Sequence, residues 1–355
     1  MRYISLFSGI ESASAAWEPM GWAPVCFSEI EPFPRAVLSH RFPDVPLHGD
    51  MTGVDWHQYQ NQADVVVAGA PCQAFSVAGA RQSLDDDRGN LTLATIEALN
   101  AIRPEYFVFE NVPGILSTKD NAFGCFLGGL VGADSPLQPP GRCRWSDAGL
   151  VSGPDRRVAW RILDAQHFGV PQRRRRVFVV GCPRTGADPA EILFEPKSLN
   201  RDVTPSRKAR EETAAPTLPG SKKKNRPWVA TGGGTGKPIN IAPTIESPCN
   251  RLELASEAFI VYENHGQDSR IKPIDKPTIN AKAGTGGNNL PLIQSDLNVR
   301  RPTPTECERL QGFSDGWTQV PYRKKPAADG PRYKALGNAM AVPVMRWIGE
   351  QIGAQ

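Results

Sequence analysis

The chain has 355 residues, 40% of them hydrophobic, with seven cysteines and a formal net charge of +4. That length exceeds one ordinary core and predicts two domains. No apolar run approaches a membrane span and residues 1–7 do not read as a cleavable signal, so a soluble, cytoplasmic protein is expected. The cysteines (26, 72, 125, 143, 182, 249 and 307) form no C-x-x-C pair and have no histidine at metal spacing, which argues against a zinc site or a disulfide framework. The mild positive charge permits a nucleic-acid partner without requiring one.

Residues 3–31 read as a βαβ unit: a strand over 4–7, a turn at Ser8-Gly9, a helix over 10–20, and a strand over 25–27 that ends at Glu29. An acid 20 residues after Gly9 is where a ribose-binding carboxylate would sit. Glu11, however, replaces the second glycine of G-x-G-x-x-G, and an acid there repels a pyrophosphate. A cofactor with adenosine but no phosphate fits better, and S-adenosylmethionine is such a cofactor.

The valine-rich run over 65–67 predicts a strand buried on both faces, broken by Gly69 and Pro71. Cys72 then falls just past the end of a central strand, on the edge where α/β sheets bind ligands. The polar loop over 81–90, with its three adjacent aspartates, reads as a solvated loop rather than a metal site. A helix over 91–102 is ended by Pro104, and a strand over 106–109 puts Glu110 at a second strand end. A thiol and an acid at two strand ends can activate an electron-poor heteroaromatic ring: sulfur adds to one carbon while a ring nitrogen is protonated.

Residues 117–157, rich in Gly, Pro and Ser, read as an insertion with little structure, followed by a helix from about 159 to 166. Arg173-Arg174-Arg175-Arg176 then enters a strand over 177–180, where alternation turns Arg174 and Arg176 to one face. Their planar forks suit a base carbonyl and phosphates. From about 186 the composition becomes basic and irregular: residues 197–226 hold nine Lys or Arg against three acids, and three Pro-Thr repeats follow. This reads as a polyanion footprint or a flexible basic linker. The glycine-rich stretches 231–237 and 283–289 read as groove-facing loops, the first failing the P-loop pattern at Thr231 and Pro238. A helix begins at Pro304 and stops at Gly312, and an amphipathic helix closes the chain.

Pro71-Cys72-Gln73 with Phe75-Ser76, Glu110-Asn111-Val112, Gln172-Arg173-Arg174-Arg175-Arg176 and Gly337-Asn338 resemble, in order and spacing, the motif series of the DNA cytosine-5 methyltransferases of bacterial or phage modification type. The resemblance implies an α/β fold, a doubly wound and mostly parallel sheet of the S-adenosylmethionine-dependent methyltransferase kind, with a smaller, irregular, β-leaning target-recognition domain. Residues 1–185 with 335–355 would be the catalytic domain and 186–334 the recognition domain. Phe7, Gly9, Ile10, Glu29, Ile30, Asp50, Met51, Pro71 and Asn338 would bind the cofactor; Cys72, Glu110, Arg174 and Arg176 would be catalytic. The implied partner is double-stranded DNA with one cytosine flipped out, and a monomer without metal or membrane association is expected. A companion restriction nuclease is not legible.

The implied chemistry is attack of the Cys72 thiolate on carbon 6 of cytosine while Glu110 serves ring nitrogen 3, which makes carbon 5 able to take a methyl group. An RNA cytosine-5 methyltransferase is the alternative with the same chemistry. A zinc deaminase is disfavoured because Phe75 stands where its second cysteine belongs and no H-x-E occurs. A non-enzymatic DNA-binding module would not need Cys72, Glu110 and Asn338 together.

Overall fold

The structure is a computed structural model that describes residues 1–71, 90–140, 144–194, 260–265, 268–274, 292–295 and 298–355, the strands between 260 and 300 by their backbone alone. The first unit carries β1 (Arg2–Leu6), α1 (Ser12–Trp17), β2 (Ala23–Ser28), α2 (Pro32–Arg41), β3 (Leu47–His48), β4 (Val65–Ala68), α3 (Asn90–Ile102) and β5 (Tyr106–Asn111). It continues through α4 (Ala122–Val131), β6 (Ala148–Ser152), β7 (Arg156–Asp164), β8 (Arg175–Pro183) and α5 (Pro189–Leu193). Its eight strands form one sheet in the order β3-β2-β1-β4-β5-β8-β7-β6. The pairs from β3 to β5 are parallel, and those from β5 to β6 are antiparallel.

Alternation along the central strands sends side chains to two cores, as the period of a strand requires. Tyr3, Val65, Val67, Tyr106 and Val108 join one core with Trp17 of α1. Ile4, Leu6, Val66, Phe107 and Phe109 join the other with Leu99 of α3 and Phe126 of α4. Both faces are covered by helices, so this is the doubly wound α/β architecture expected from the sequence. The strand order reverses between β1 and β4, and the cleft above such a reversal is where open α/β sheets take ligands.

Two expectations fail between 117 and 166. The stretch read as a loose insertion contains α4 and β6, because its glycines serve close packing: a Cβ on Gly124 would lie 2.1 Å from the Leu137 carbonyl oxygen. The helix expected over 159–166 is most of β7, whose Val158 and Trp160 enter the sheet core while the strand pairs with β8 on one side and β6 on the other. Tertiary pairing outweighs local propensity there.

After residue 260 a second, antiparallel sheet in the order β10-β9-β11-β12 is built from β9 (Ile260–His265), β10 (Asp268–Ile274), β11 (Leu292–Ser295) and β12 (Asn298–Arg300). The basic run 197–226, the Pro-Thr repeats and both glycine-rich stretches lie outside the described residues. The chain then forms α6 (Pro304–Gln311), a hairpin of β13 (Pro321–Tyr322) and β14 (Lys325–Pro326), α7 (Asp329–Asn338) and α8 (Val342–Gly353). Thr303 and Glu306 close a capping box at the start of α6, and Gly312 ends it at φ +84°.

Cys307, Phe313, Trp317 and Val320 belong to the same core as Trp17 and Phe42. Trp317 donates to the Ile10 carbonyl at 2.7 Å and stacks under Arg41. A domain boundary at 334 therefore cuts through a packed region, since α6 and the residues after it are core of the first unit. Glu308, fully buried, holds this region: it accepts from the Gly316 and Thr318 amides at 2.7 and 2.8 Å and pairs with Arg332 of α7 at 3.2 Å. Among the described residues, no helix is long and apolar enough to cross a membrane.

Candidate active site

The end of β1 opens into a turn of unusual backbone. Phe7, Gly9 and Glu11 all have positive φ, at +53°, +57° and +63°. For the two non-glycine residues this costs roughly 1–2 kcal/mol each. The turn is held by Glu29 at the end of β2, whose Oε2 accepts from the Gly9 amide and whose Oε1 accepts from the Glu31 amide, both at 2.7 Å. Glu11 folds back to cap α1, accepting from the Ser14 amide at 2.9 Å, and burial pushes its carboxyl up to about 7.

These residues fit an adenosine-bearing cofactor. A carboxylate has about four lone-pair sites, so Glu29 keeps two beyond its backbone bonds for a pair of ribose hydroxyls. Ile30 beside it is 66% exposed, an apolar side chain open to a flat ring. Half-buried Phe7, exposed Asp50 and exposed Pro71 line the same carboxyl edge. Asp50 is partly engaged, since its Oδ1 accepts from the amide and hydroxyl of Thr52. Ile10 and Met51 differ from the rest: both side chains are core, 1% and 3% exposed, so contact with a cofactor falls to their backbone. Asn338 is exposed at the end of α7, on a cleft of about 360 Å³ shared with Phe33, Tyr322, Lys334 and Glu31. Lys334 and Glu31 pair across it at 3.0 Å.

The other end of the site exists because β8 runs against β5. Asn111 pairs with Val177 and Glu110 with Phe178, so the start of β8 arrives at the carboxyl edge of the parallel strands. Arg176 there approaches Glu110, Nε to Oε1, at 3.0 Å. Among the described residues that oxygen accepts no aligned hydrogen bond, which leaves it in a charge contact only. Along the arginine run, Gln172 and Arg174 are buried, Arg176 is half-buried, and Arg173 and Arg175 are exposed.

Arg174 is 2% exposed and donates to the carbonyls of Gly337 and Ala339 at 3.1 and 2.7 Å. Burial first, then the like charge of Arg176, pulls its guanidinium down to about 9, against the attraction of Glu110. Its fork thus reaches the segment around Asn338, a partner that its expected role as a base ligand did not include. Cys72 lies outside the described residues. The residues leading to it are fixed, however: Asn111 is buried and donates from Nδ2 to the Ala70 carbonyl at 3.1 Å. A Cβ on Gly69 would meet Met340 at 2.9 Å and Glu110 at 4.0 Å.

The family model for C-5 cytosine-specific DNA methylases matches residues 1–128 and 155–354. The chain belongs to this family. The interruption in the methylase match, 129–154, holds the end of α4 and the edge strand β6. A protein of Escherichia phage P1 named DNA N-6-adenine-methyltransferase is 39% identical over 99% of this chain, which spans 61% of that relative's length. The type II methyltransferase M.HpaII of Haemophilus parainfluenzae is 28% identical over 99% of this chain and 88% of its own. The crystal structure of Schizosaccharomyces pombe Dnmt2 methyltransferase superposes with a TM-score of 0.60 at 17% identity, covering 100% of this chain and 99% of that one, a likeness of fold.

Sequence reasoning left two methylase residues without a role. Asn111 sits inside the quoted Glu110-Asn111-Val112 motif, and a buried amide two residues before a proline could have been suspected of holding a turn. Asp164, which accepts from the Arg174 amide at 2.9 Å, carried no such signal because its segment read as helix. Among the described residues no group of three or more His, Cys, Asp or Glu could hold a metal ion.

Proposed function

We propose that this methylase transfers a methyl group to carbon 5 of a cytosine flipped out of double-stranded DNA, with Cys72 as the nucleophile. The observation that carries the reading is the junction at the end of β5. There Glu110 is 7% exposed against Arg176, and its neighbour Asn111 ties down the carbonyl two residues before Cys72. A proton donor and a thiol carried on adjoining strand ends suit one small planar ring.

Cys72 adds to carbon 6, forming an S–C bond, and Glu110 supplies a proton or hydrogen bond to nitrogen 3. Carbon 5 then carries the electron density that a methyl electrophile needs. S-adenosylmethionine supplies that methyl group, and Glu29, Ile30, Phe7 and Asn338 would hold it. Arg176 keeps Glu110 in place beside the ring, and after transfer a base removes the carbon 5 proton so that the sulfur can leave. Flipping costs a few kcal/mol, offset by contacts to the phosphates. The antiparallel sheet after residue 260 and the basic stretch before it are the proposed recognition region, and a cytoplasmic location accords with this activity.

A second reading rests on the phage P1 relative, whose name states N-6-adenine methylation. An exocyclic amine attacks a methyl donor without prior addition of a thiol, so Cys72 and Glu110 would be idle in that reaction. Mass spectrometry of nucleosides from plasmid grown with the protein decides: 5-methylcytosine is expected, and N6-methyladenine alone overturns the reading. Cys72→Ser is expected to abolish the product, since an alcohol is far less ionised than a thiol, while cofactor and DNA binding persist. Product at the wild-type rate would end the covalent scheme.

A further inference from the structure

The turn that displays Asn338 is anchored at nearly every step. The Leu336 carbonyl accepts from Gln311 at 2.7 Å, the Gly337 and Ala339 carbonyls accept from Arg174, and the Met340 carbonyl accepts from Ser12 at 2.8 Å. Asn338 itself stays exposed between the two carbonyls that Arg174 holds. Arg174 is in turn fixed by its own backbone, which donates to Asp164 and accepts from the Ala165 amide at 3.1 Å. A cation at the last carbonyls of α7 also meets the negative end of that helix.

We propose that Arg174 is a positioning residue for the cofactor end of the site: it clamps the turn that presents Asn338 and so sets affinity for S-adenosylmethionine, not contact with the cytosine. This rests on the proposed function for the identity of the ligand, while the clamp itself rests on the geometry of residues 336–340. A planar fork can reach two carbonyls flanking one residue, whereas a lysine presents a single nitrogen and can hold only one of them well. The two pocket arginines then divide the labour. Arg176 serves Glu110 and the base, and Arg174 carries the position of β8 across to the cofactor.

The test compares Arg174→Lys with wild type in two measurements on the full chain. In calorimetry with S-adenosylmethionine and no DNA, Arg174→Lys is expected to raise Kd about tenfold, and less than twofold in an Asn338→Ala background, because the arginine acts through that residue. An unchanged Kd with a fall in kcat alone would return Arg174 to the base pocket. The same tenfold loss in both backgrounds would also overturn the proposal. Hydrogen exchange without any ligand is the second measurement: amides at 337–341 should exchange at least several-fold faster in Arg174→Lys, with β1 and β4 unchanged. Unchanged exchange at 337–341, or equal acceleration throughout the sheet, overturns the clamp. If exchange behaves as expected but the wild-type protein binds no S-adenosylmethionine, the clamp stands and the proposed function falls.

Discussion

At the cofactor end, Gly9 and Glu29 meet across 20 residues of sequence through one hydrogen bond from the Gly9 amide to the Glu29 carboxylate, at the ends of two paired parallel strands. At the base end, Glu110 meets Arg176 only because β8 enters the sheet antiparallel, and the neighbouring Arg174 ties that end to the cofactor side through Ala339, 165 residues away. The first end is a turn that its own βαβ unit almost suffices to build. The second is assembled from β5, β7, β8 and the C-terminal helices, so it exists only when the whole sheet and its cover are in place. Substitutions should therefore separate cleanly: local loss of affinity at one end, loss of turnover or of the fold at the other.

The largest effect is expected at Glu110. Glu110→Gln keeps the shape and a hydrogen-bonding group but removes the acid, and general acid–base assistance is worth about 10²–10⁴ in rate. Turnover in a filter-binding methylation assay should fall within that range, with affinity for S-adenosylmethionine unchanged within twofold. Affinity falling in parallel with turnover would mean that the two ends are not separable.

Next comes the scaffold of the C-terminal helices. In Glu308→Gln an amide nitrogen would face a donor, and Arg332, only 8% exposed, would lose its buried charge partner and keep only the exposed Asp329 at 3.8 Å. Breaking such a buried pair costs about 3–5 kcal/mol. Urea unfolding should register that loss, and a value below 1 kcal/mol would show that α6 and α7 are held chiefly by the apolar packing of Cys307, Phe313 and Trp317.

The same contrast explains what could be read in advance. The strands through Glu29, Val67 and Glu110, the caps of α6 and the run of α3 were legible because period, punctuation and turn residues act within a few positions. The doubly wound sheet follows from them. The helix expected over 159–166 was a strand because partners on both sides, β6 and β8, were invisible in the local pattern. Arg174 illustrates the same limit at the site: alternation paired it with Arg176 on one face, but it lies just before β8 and nothing local told that two carbonyls from residues 337 and 339 would hold its fork.

Glu29→Ala probes the cofactor end directly. Removing an acceptor that serves two backbone amides and two proposed hydroxyls should weaken S-adenosylmethionine binding by roughly 1–3 kcal/mol, the usual range for leaving buried partners unpaired. Calorimetry with the cofactor alone reads it. Unchanged affinity would make Glu29 a brace of the Gly9 turn and nothing more, and would move the ribose site towards Asp50.

The smallest expected effect concerns the charge inside that turn. Glu11 is 1% exposed, and burial raises its carboxyl from an ordinary 4.5 to about 7 in the folded protein. The native state therefore holds this proton more tightly than the unfolded chain does. The stabilisation is fully present below about pH 4.5 and is lost as pH rises through about 7. Above that, the fold carries a buried negative charge relieved by its bonds to Ser14 and by the Ser5 hydroxyl. Glu11→Gln keeps an acceptor for the Ser14 amide and removes the charge. It should change stability little near pH 5 and raise it at pH 8 by roughly 1–3 kcal/mol, at about 1.4 kcal/mol per unit of pKa. Unfolding free energies measured from pH 5 to 8 should accordingly fall less steeply with pH in the variant than in the wild type. Parallel curves would mean that the Glu11 carboxylate ionises in place without cost, and that the positive-φ turn it caps is stabilised by the charge rather than burdened with it.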